Sequence, residues 1–202
     1  MGGFYSKPFI LSKVYFLASS TPKILGIVGS LRSGSVNKAL LSAARCSAPE
    51  YVQLDIYEGI GNLPFFNPDL EGQESESVSD YRSALRSANA IIIASPEYAH
   101  GITGVLKNAL DWVVGSGEFI DKPVAILNAS KRATIAYESL LEIMKVMSAN
   151  VIREASLTIP LVGKDITEKE ILADSEYTYL LKKSLETLCF AIEANREKQI
   201  SG

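Results

Sequence analysis

The sequence predicts an α/β fold, in which one parallel β-sheet lies between helices on both of its faces. Short, nearly continuous apolar runs, typical of strands buried on both sides, alternate five times with longer segments of helical periodicity. Such alternation gives parallel strands joined by right-handed helical crossovers. The length of 202 residues is that of one domain, and 47% apolar and 21% charged residues are ordinary globular usage.

The elements of the first half follow from the spacing of apolar residues. They are continuous in a buried strand, recur at helical spacing in a helix and alternate with polar residues in an edge strand. These rules predict, in order, the strand 23–28, the helix 36–46, the edge strand 52–56, a Gly- and Pro-rich loop 58–75 and the helix 76–87. The loop contains Phe65 and Phe66, which we expect either to pin it to the domain or to line a binding site, with pinning favoured.

The second half continues the alternation and ends in a long helical region. The same rules predict the strand 90–94, the helix 103–114, the strand 124–127, the helix 133–147 capped by residues 128–130, a strand within 151–157, a polar connection at 163–165 and a helical region from 168 to about 198. The helix 103–114 is apolar on more than one face, which indicates that it buries a second face, for example against a partner subunit.

Composition excludes several function classes. The net charge of −3 offers no basic face for nucleic acid, and no apolar run reaches the length of a membrane span. The single histidine, His100, argues against a zinc site, so we expect no metal. Cys46 and Cys189 are far apart in helical segments, so we expect buried or half-buried free thiols in a cytoplasmic protein.

The first 22 residues are set apart from the rest by composition. We expect residues 1–22 to be a poorly packed N-terminal extension before a domain that spans 23–202. A weak signal peptide, an organellar leader and a non-functional upstream extension all remain open for this segment.

A small polar loop, residues 29–37, joins the first strand to the first helix and predicts an anion site. Backbone N–H groups at a helix start lack intrahelical partners and carry partial positive charge. The loop adds hydroxyl, amide and guanidinium donors from Ser30, Arg32, Ser33, Ser35 and Asn37. No Lys stands at position 35 for a nucleotide-triphosphate loop, and no G-x-G-x-x-G is present, so a monophosphate is favoured. The alternative is a plain polar turn with Ser35 as the N-cap.

A second loop, residues 95–103, has the features of a site for a planar ligand. It starts rigidly at Pro96, carries one aromatic side chain, Tyr98, and contains a glycine that allows close backbone approach. Because ligands of such folds bind beyond the carboxyl ends of the strands, we expect the loops 29–37, 95–103 and 128–132 to meet.

Two motifs at matching positions give the chain a resemblance to a known family. The segments GSLRSGSVN at 29–37 and PEYAHGITGVLKNALDW at 96–112 resemble the NADPH-dependent FMN reductase family, the flavodoxin-like quinone, azo and chromate reductases. The resemblance covers roughly residues 23–160. It implies a flavodoxin-like three-layer sandwich, a five-stranded sheet in the order 2-1-3-4-5 and one FMN per site.

The resemblance also implies roles for individual residues. It places Ser30, Arg32, Ser35 and Asn37 at the FMN phosphate, Pro96, Glu97 and Tyr98 around the isoalloxazine ring, and His100 as a further candidate at the ring edge. The chain departs from the family pattern at Ala99, where Asn is usual, at Thr103, where Pro is usual, and at 128–130, where a glycine pair is common. Family members are commonly dimers or tetramers, which implies a homodimer or homotetramer through the helix 103–114.

The implied chemistry is that of an FMN-dependent NAD(P)H oxidoreductase. NADPH or NADH would pass hydride to flavin N5, and a quinone, azo or similar small acceptor would then be reduced at the same site in a ping-pong sequence. Because the flavin carries the chemistry, no catalytic residue is assigned. Tyr98 is expected either to line the open pocket or to pack at a loop corner. Glu97 is expected to face a partner subunit or solvent, and Lys107 is expected to pair with Asp111.

Three other functions remain open at this point. The first is an FMN-binding electron-transfer module without NAD(P)H turnover, and the second is a scaffold that has kept the fold and lost the cofactor. The third is a phosphate-ester hydrolase on the same fold, which would need a nucleophile beside a base; Ser30 has no His near it in its loop.

Overall fold

Strands and helices alternate along the chain in a computed structural model, which describes residues 21–161 and 166–201. The strands in this part are β1 Lys23–Val28, β2 Gln53–Tyr57, β3 Ala90–Ala94, β4 Pro123–Asn128, β5 Asn150–Val151 and β6 Leu157–Thr158. The α-helices are α1 Val36–Cys46, α2 Glu76–Ser87, α3 Gly104–Asp111, α4 Thr134–Val146, α5 Glu168–Ala173 and α6 Ser175–Ser201. The expected N-terminal extension lies outside the described residues apart from its last two, and the whole of the expected connection 163–165 lies outside them as well.

All strands run parallel, in the order β2-β1-β3-β4-β5, with β6 also pairing with β4. The predicted order 2-1-3-4-5 and the helices on both faces are therefore confirmed. The fifth position is not one strand: β5 pairs with the start of β4 and β6 with its end. Ser156 bridges the gap, since its Oγ accepts from Ile126 N at 3.0 Å and donates to Ile152 O at 3.0 Å, which replaces a missing ladder bond.

Side chains of the strands alternate between two hydrophobic cores, one on each face of the sheet. In β1, Ile24 packs with α1, α5 and α6 on one face, whereas Leu25 packs with α2, α3 and α4 on the other. Gly26 points to the first face, where a Cβ would come within 2.7 Å of Leu41 Cδ2. The missing side chain therefore lets α1 lie close to the sheet.

The loop 58–75 is fastened to α3. The carbonyl of Pro64 accepts hydrogen bonds from Asn108 Nδ2 at 2.9 Å and from Trp112 Nε1 at 2.7 Å, and Phe66 N donates to Asn108 Oδ1 at 2.8 Å. The Phe66 ring meets the Trp112 ring edge-on at 5.2 Å. Phe66 thus pins the loop as predicted, while its neighbour Phe65 is 91% exposed. This loop covers much of the apolar surface of α3 from within the same chain.

The C-terminal helical region is two helices rather than one. Thr167 and Glu170 form a reciprocal capping box at the start of α5. Asp174 ends α5, and its Oδ1 then accepts from the backbone N–H groups of Glu176 and Tyr177, so that it starts α6. None of the described helices combines the length and the apolar character that crossing a bilayer requires.

The two cysteines differ in their surroundings. Cys189 is buried on α6, and burial raises the pKa of its thiol to about 12. Cys46 is exposed at the end of α1, where its Sγ lies 3.3 Å from Glu168 Oε1, so the expectation of burial is wrong for this thiol.

Candidate functional site

Three loops meet beyond the carboxyl ends of β1, β3 and β4, as predicted, and enclose a cavity of about 340 Å³. This volume is within the range of small-molecule sites. The cavity is lined by Val36, Asn37, Ser95, Pro96, Glu97, Asn128, Ala129, Ser130, Arg132 and Ala133. The segments 29–37, 95–103 and 128–132, which are far apart in the sequence, therefore build one site.

Gly29 brings the first two of these loops together. Its N–H donates to Ala94 O at 2.8 Å, and a Cβ at this position would lie 2.7 Å from Ser95 Cβ and 3.2 Å from Thr103 Oγ1. Any larger residue would push the loops apart. The glycine thus sets the spacing between the loop 95–103 and the polar loop 29–37, hereafter the anion loop after the site it is expected to form.

The loop 29–35 leads into α1 through a tight turn. Ser35 N donates to Arg32 O at 3.2 Å, and Ser35 Oγ accepts from Lys38 N at 3.3 Å, which makes Ser35 the N-cap. The cap uses an oxygen lone pair and leaves the hydroxyl proton free to donate to a ligand. Among the described residues, nothing accepts from the N–H groups of Val36 and Asn37, so the helix start is open toward the cavity.

Asn37 carries an unsatisfied buried group in the wall of this cavity. The residue is 7% exposed, and no hydrogen-bond donor reaches its Oδ1 within the described part of the chain. A buried acceptor without a partner is destabilising by about 1–3 kcal/mol. A ligand that offers a donor, such as a hydroxyl group, would relieve this, so the residue fits a polar ligand in the cavity.

Ser30 and Arg32 lie on the rim of the site rather than in the cavity wall. Arg32 is exposed, and its guanidinium makes no hydrogen bond or ion pair with any residue that the structure describes. Ser30 Oγ accepts from the backbone N–H of Arg32 at 3.4 Å. The loop therefore presents an uncommitted cation beside the open start of α1.

Glu97 faces the start of α4, so the expectation that it faces a partner or solvent is wrong. Its Oε2 accepts from Ala136 N at 2.8 Å, and its Oε1 lies 3.2 Å from His100 Nδ1. The N-cap residue of α4, Ala133, has no capping side chain, and Glu97 takes that role in place of the expected residues 128–130. The N–H of Ala136, assisted by His100, holds the pKa of Glu97 below its usual range.

Tyr98 and His100 do not line the cavity. Tyr98 is exposed at one end of a two-residue turn, in which Tyr98 and Gly101 exchange two backbone hydrogen bonds of 3.0 Å. His100 is exposed and contacts Glu97. Pro96 and Glu97 are therefore the two residues of this motif that reach the cavity wall.

Ala99 is strained in this turn. Ala99 and His100 have φ values of 48° and 58°, the pattern of a type I′ turn, which favours Asn and Gly at its first central position. We expect Ala99→Asn to raise the free energy of unfolding by about 0.5–1 kcal/mol, because Asn tolerates the left-handed region and Ala99 is exposed. Urea denaturation measures this, with Ala99→Val as the contrasting variant that should be destabilised; a stabilised valine variant would contradict the explanation.

The sequence predicts the loop 128–132 at the site but singles out none of its side chains. Asn128 Oδ1 accepts from Ser130 N at 3.0 Å, Asn128 Nδ2 donates to Ala133 O at 3.2 Å, and Ser130 Oγ accepts from Arg132 N at 3.1 Å. These short-range contacts fix the loop and bring Arg132 to the cavity. The signal was available, since an Asn-x-Ser segment at the end of a buried strand is typical of such turns.

No three His, Cys, Asp or Glu side chains of residues 21–161 and 166–201 gather in a group that could hold a metal ion. The ionisable side chains in the cavity wall are Glu97 and Arg132. Because Glu97 is committed to the start of α4, the wall offers donors and a cation, and it offers no free base.

Comparison with known proteins matches the chain to a protein family. The family model for NADPH-dependent FMN reductases matches residues 22–163. An NAD(P)H-dependent FMN reductase of Pseudomonas aeruginosa is 41% identical over 111 residues, 54% of this chain and 60% of that protein. An NAD(P)H:quinone oxidoreductase of Solanum tuberosum is 40% identical over 112 residues, 53% of this chain and 58% of that protein. The alignments thus span about three fifths of the length of these relatives.

A solved structure shows the same fold. The flavoenzyme NAD(P)H:(acceptor) oxidoreductase FerB of Paracoccus denitrificans superposes with a TM-score of 0.68 at 22% identity, over 86% of this chain and 98% of that one. The family match covers more than half of the chain and includes all three loops that carry the candidate site. The chain belongs to the NADPH-dependent FMN reductase family.

Proposed function

We propose that this protein is an FMN-dependent NAD(P)H oxidoreductase that reduces a quinone or a similar small acceptor. The observation that carries the proposal is the cavity at the open start of α1, with the unsatisfied Oδ1 of Asn37 in its wall. Such a site suits a ligand with an anionic end and a neighbouring donor group. FMN has both, in its phosphate and its ribityl hydroxyls, and the family match supports it.

The residues present fit FMN, and different residues would bind different parts of it. The phosphate would bind the N–H groups of Val36 and Asn37 and the side chains of Ser30, Arg32 and Ser35, all of which offer donors. A phosphate dianion has no proton to give, so Asn37 Oδ1 would instead accept from a ribityl hydroxyl. The ring would lie against Pro96 and Glu97 in the cavity.

FMN, when bound, supplies the hydride chemistry. The chain's own residues bind and orient the ligands. Glu97 stays ionised because of its lowered pKa and is engaged by Ala136, so we assign it no proton transfer, and we assign no catalytic residue elsewhere. We propose that donor and acceptor enter the one cavity in turn, as a ping-pong sequence requires.

The acceptor and the location are proposals as well. The Solanum tuberosum relative is named a quinone oxidoreductase, and a Burkholderia relative 37% identical over 111 residues is named a 2-hydroxy-1,4-benzoquinone reductase, which supports a quinone-like acceptor. We propose a cytoplasmic location; the two free thiols, Cys46 and Cys189, support it.

We also propose a homodimer or homotetramer that assembles through the helix segment 103–114. Leu106, Leu110 and Trp112 are buried within the chain, so the contact would use the exposed Val114 and the exposed Phe65, whose neighbour Phe66 packs on Trp112. A molar mass from light scattering equal to that of one chain would contradict this.

The experiment that tests the function starts from the visible spectrum. The protein is mixed with FMN, freed of excess flavin, and then treated with NADPH without oxygen. We expect retained flavin that bleaches and is reoxidised by a quinone, and we expect weaker retention of riboflavin, which lacks the phosphate. Retained flavin that stays yellow with both NADPH and NADH would indicate an electron carrier. No retained flavin would contradict the site assignment.

A further inference from the structure

We propose that Arg132 binds a phosphate group of the nicotinamide donor at the mouth of the cavity, an inference that rests on the proposed function. The site would then have two anion subsites, one for each phosphate-bearing ligand. The first is the anion loop at the start of α1, and the second is the loop after β4.

The position of Arg132 is fixed by its own loop. The residue lines the cavity, and its backbone N–H donates to Ser130 Oγ at 3.1 Å, while Ser130 N donates to Asn128 Oδ1 at 3.0 Å. Asn128 is itself buried at the end of β4. A buried strand end thus fixes the backbone of the turn at Arg132, while its exposed side chain stays free to adjust to a ligand.

Within the described part of the chain, Arg132 forms no ion pair with an acidic group. Its guanidinium has neither an ion pair nor a hydrogen bond with any described residue, although Glu97 lies in the same cavity wall. Both oxygens of Glu97 are engaged, one by the N–H of Ala136 and the other by His100. By contrast, Lys38 and Lys107 on the nearby helices are paired with Glu58 and Asp111. Arg132 is exposed, so it lies where the cavity opens to solvent. In a chain of net charge −3, such an uncommitted cation beside a cavity attracts an anionic ligand.

The order of the strands separates this cation from the FMN phosphate. β3 lies between β1 and β4 in the sheet, so the loop 95–103 stands between the anion loop and the loop of Arg132. A second phosphate-bearing ligand is therefore the natural partner. NADH and NADPH both carry a pyrophosphate, whereas an uncharged quinone carries no anion, and a guanidinium can bind two phosphate oxygens at once.

The test compares Arg132→Gln with Lys131→Gln. Lys131 is adjacent, exposed and outside the cavity wall, so its variant makes the same change in charge without the proposed contact. With a neutral quinone as the acceptor, we expect Arg132→Gln to lower kcat/KM for NADPH about tenfold or more, the usual effect of losing a charged hydrogen bond. In Arg132→Gln, we expect the affinity for FMN and the kcat at saturating NADPH to be unchanged. Lys131→Gln should change kcat/KM by less than about twofold, and Arg132→Lys should recover part of the loss.

The outcomes separate this inference from the proposed function. A wild-type protein that binds no FMN or does not oxidise NADPH or NADH overturns both. An active wild type with equal kcat/KM in Arg132→Gln and Lys131→Gln overturns the subsite alone, and so does an Arg132→Gln variant that loses FMN. A loss with NADPH alone assigns the contact to the 2′-phosphate, and an equal loss with NADH assigns it to the pyrophosphate; both support the proposal.

Discussion

Replacing Arg32 by alanine is expected to weaken FMN binding about 10- to 100-fold. The guanidinium lies on the rim of the anion loop, where a phosphate bound at the start of α1 would accept hydrogen bonds from it. Losing one charged hydrogen bond corresponds to about 1.5–3 kcal/mol, which gives this range of affinity. Titration of FMN by quenching of its fluorescence measures the effect directly.

The same variant should leave folding unchanged, which makes the result easy to interpret. Arg32 is exposed, and its side chain makes no hydrogen bond or ion pair with the described residues, so the free energy of unfolding should change by less than about 0.5 kcal/mol. Arg32→Lys keeps the charge but loses the planar fork and should bind FMN with intermediate affinity. Arg45→Ala, an exposed arginine at the far end of α1, is the matched control. Equal FMN affinity in Arg32→Ala and Arg45→Ala would remove Arg32 from the phosphate site.

Elements bounded by local signals could be predicted from the sequence. The expected segments 23–28, 36–46, 76–87 and 90–94 match β1, α1, α2 and β3 residue for residue. Buried strands are read from continuous apolar runs, and the Ser35 cap marks where α1 begins. The hypothesis of an anion site at 29–37 depends on local signals of the same kind, because its donors and the helix start are neighbours in the sequence.

Features that depend on distant contacts could not be predicted in this way. Glu97 caps α4 from 39 positions away, and nothing in the local sequence of either segment indicates this contact. The interruption between β5 and β6 depends on Ser156 reaching Ile126 across the sheet, 30 positions away. Of the two adjacent phenylalanines, Phe66 packs on Trp112 and Phe65 does not, and only the fold distinguishes them.

The candidate site likewise combines features that local sequence predicts with features that only the fold reveals. Pro96 and Glu97 line the cavity, whereas Tyr98 and His100 of the same motif lie outside its wall, in the tight turn at Ala99. The sequence does not single out Arg132, because a cation in a polar loop resembles an ordinary solvated side chain. Only the fold shows that Arg132 lines the cavity and that it has no partner among the described residues.

The largest loss of stability is expected at Glu118, which the sequence did not single out. This carboxylate is 5% exposed in the connection between α3 and β4, where its Oε1 accepts from Arg82 Nε and from Arg86, both at 2.9 Å, and its Oε2 accepts from Ser116. Two cations of α2 are thereby tied to that connection. Lys122 approaches from the start of β4 and donates to Leu85 O.

We expect Glu118→Gln to lower the free energy of unfolding by about 3 kcal/mol. Removing one partner of a buried ion pair typically costs about 3–5 kcal/mol. The low end applies here because the side chains of Arg82 and Arg86 are 24% and 56% exposed, and because Arg82 keeps its bond to Glu74. Urea denaturation measures the loss, with Glu50→Gln, an exposed carboxylate, as the control. Glu118 does not line the cavity, so the folded fraction of Glu118→Gln should bind FMN normally.

The loss should also depend on pH in a defined direction. Burial alone would raise the pKa of Glu118, but the hydrogen bonds from Ser116 and Arg82 outweigh it and hold that pKa below its usual range. The contribution of Glu118 is therefore complete above the pKa of an unfolded glutamate and disappears as the pH falls through the lower pKa of the folded state. The stability difference between wild type and Glu118→Gln should accordingly be full near pH 7 and shrink in acid. A difference that grows in acid would show that burial controls this carboxylate, and the cluster would then be a destabilised site rather than a clamp on α2.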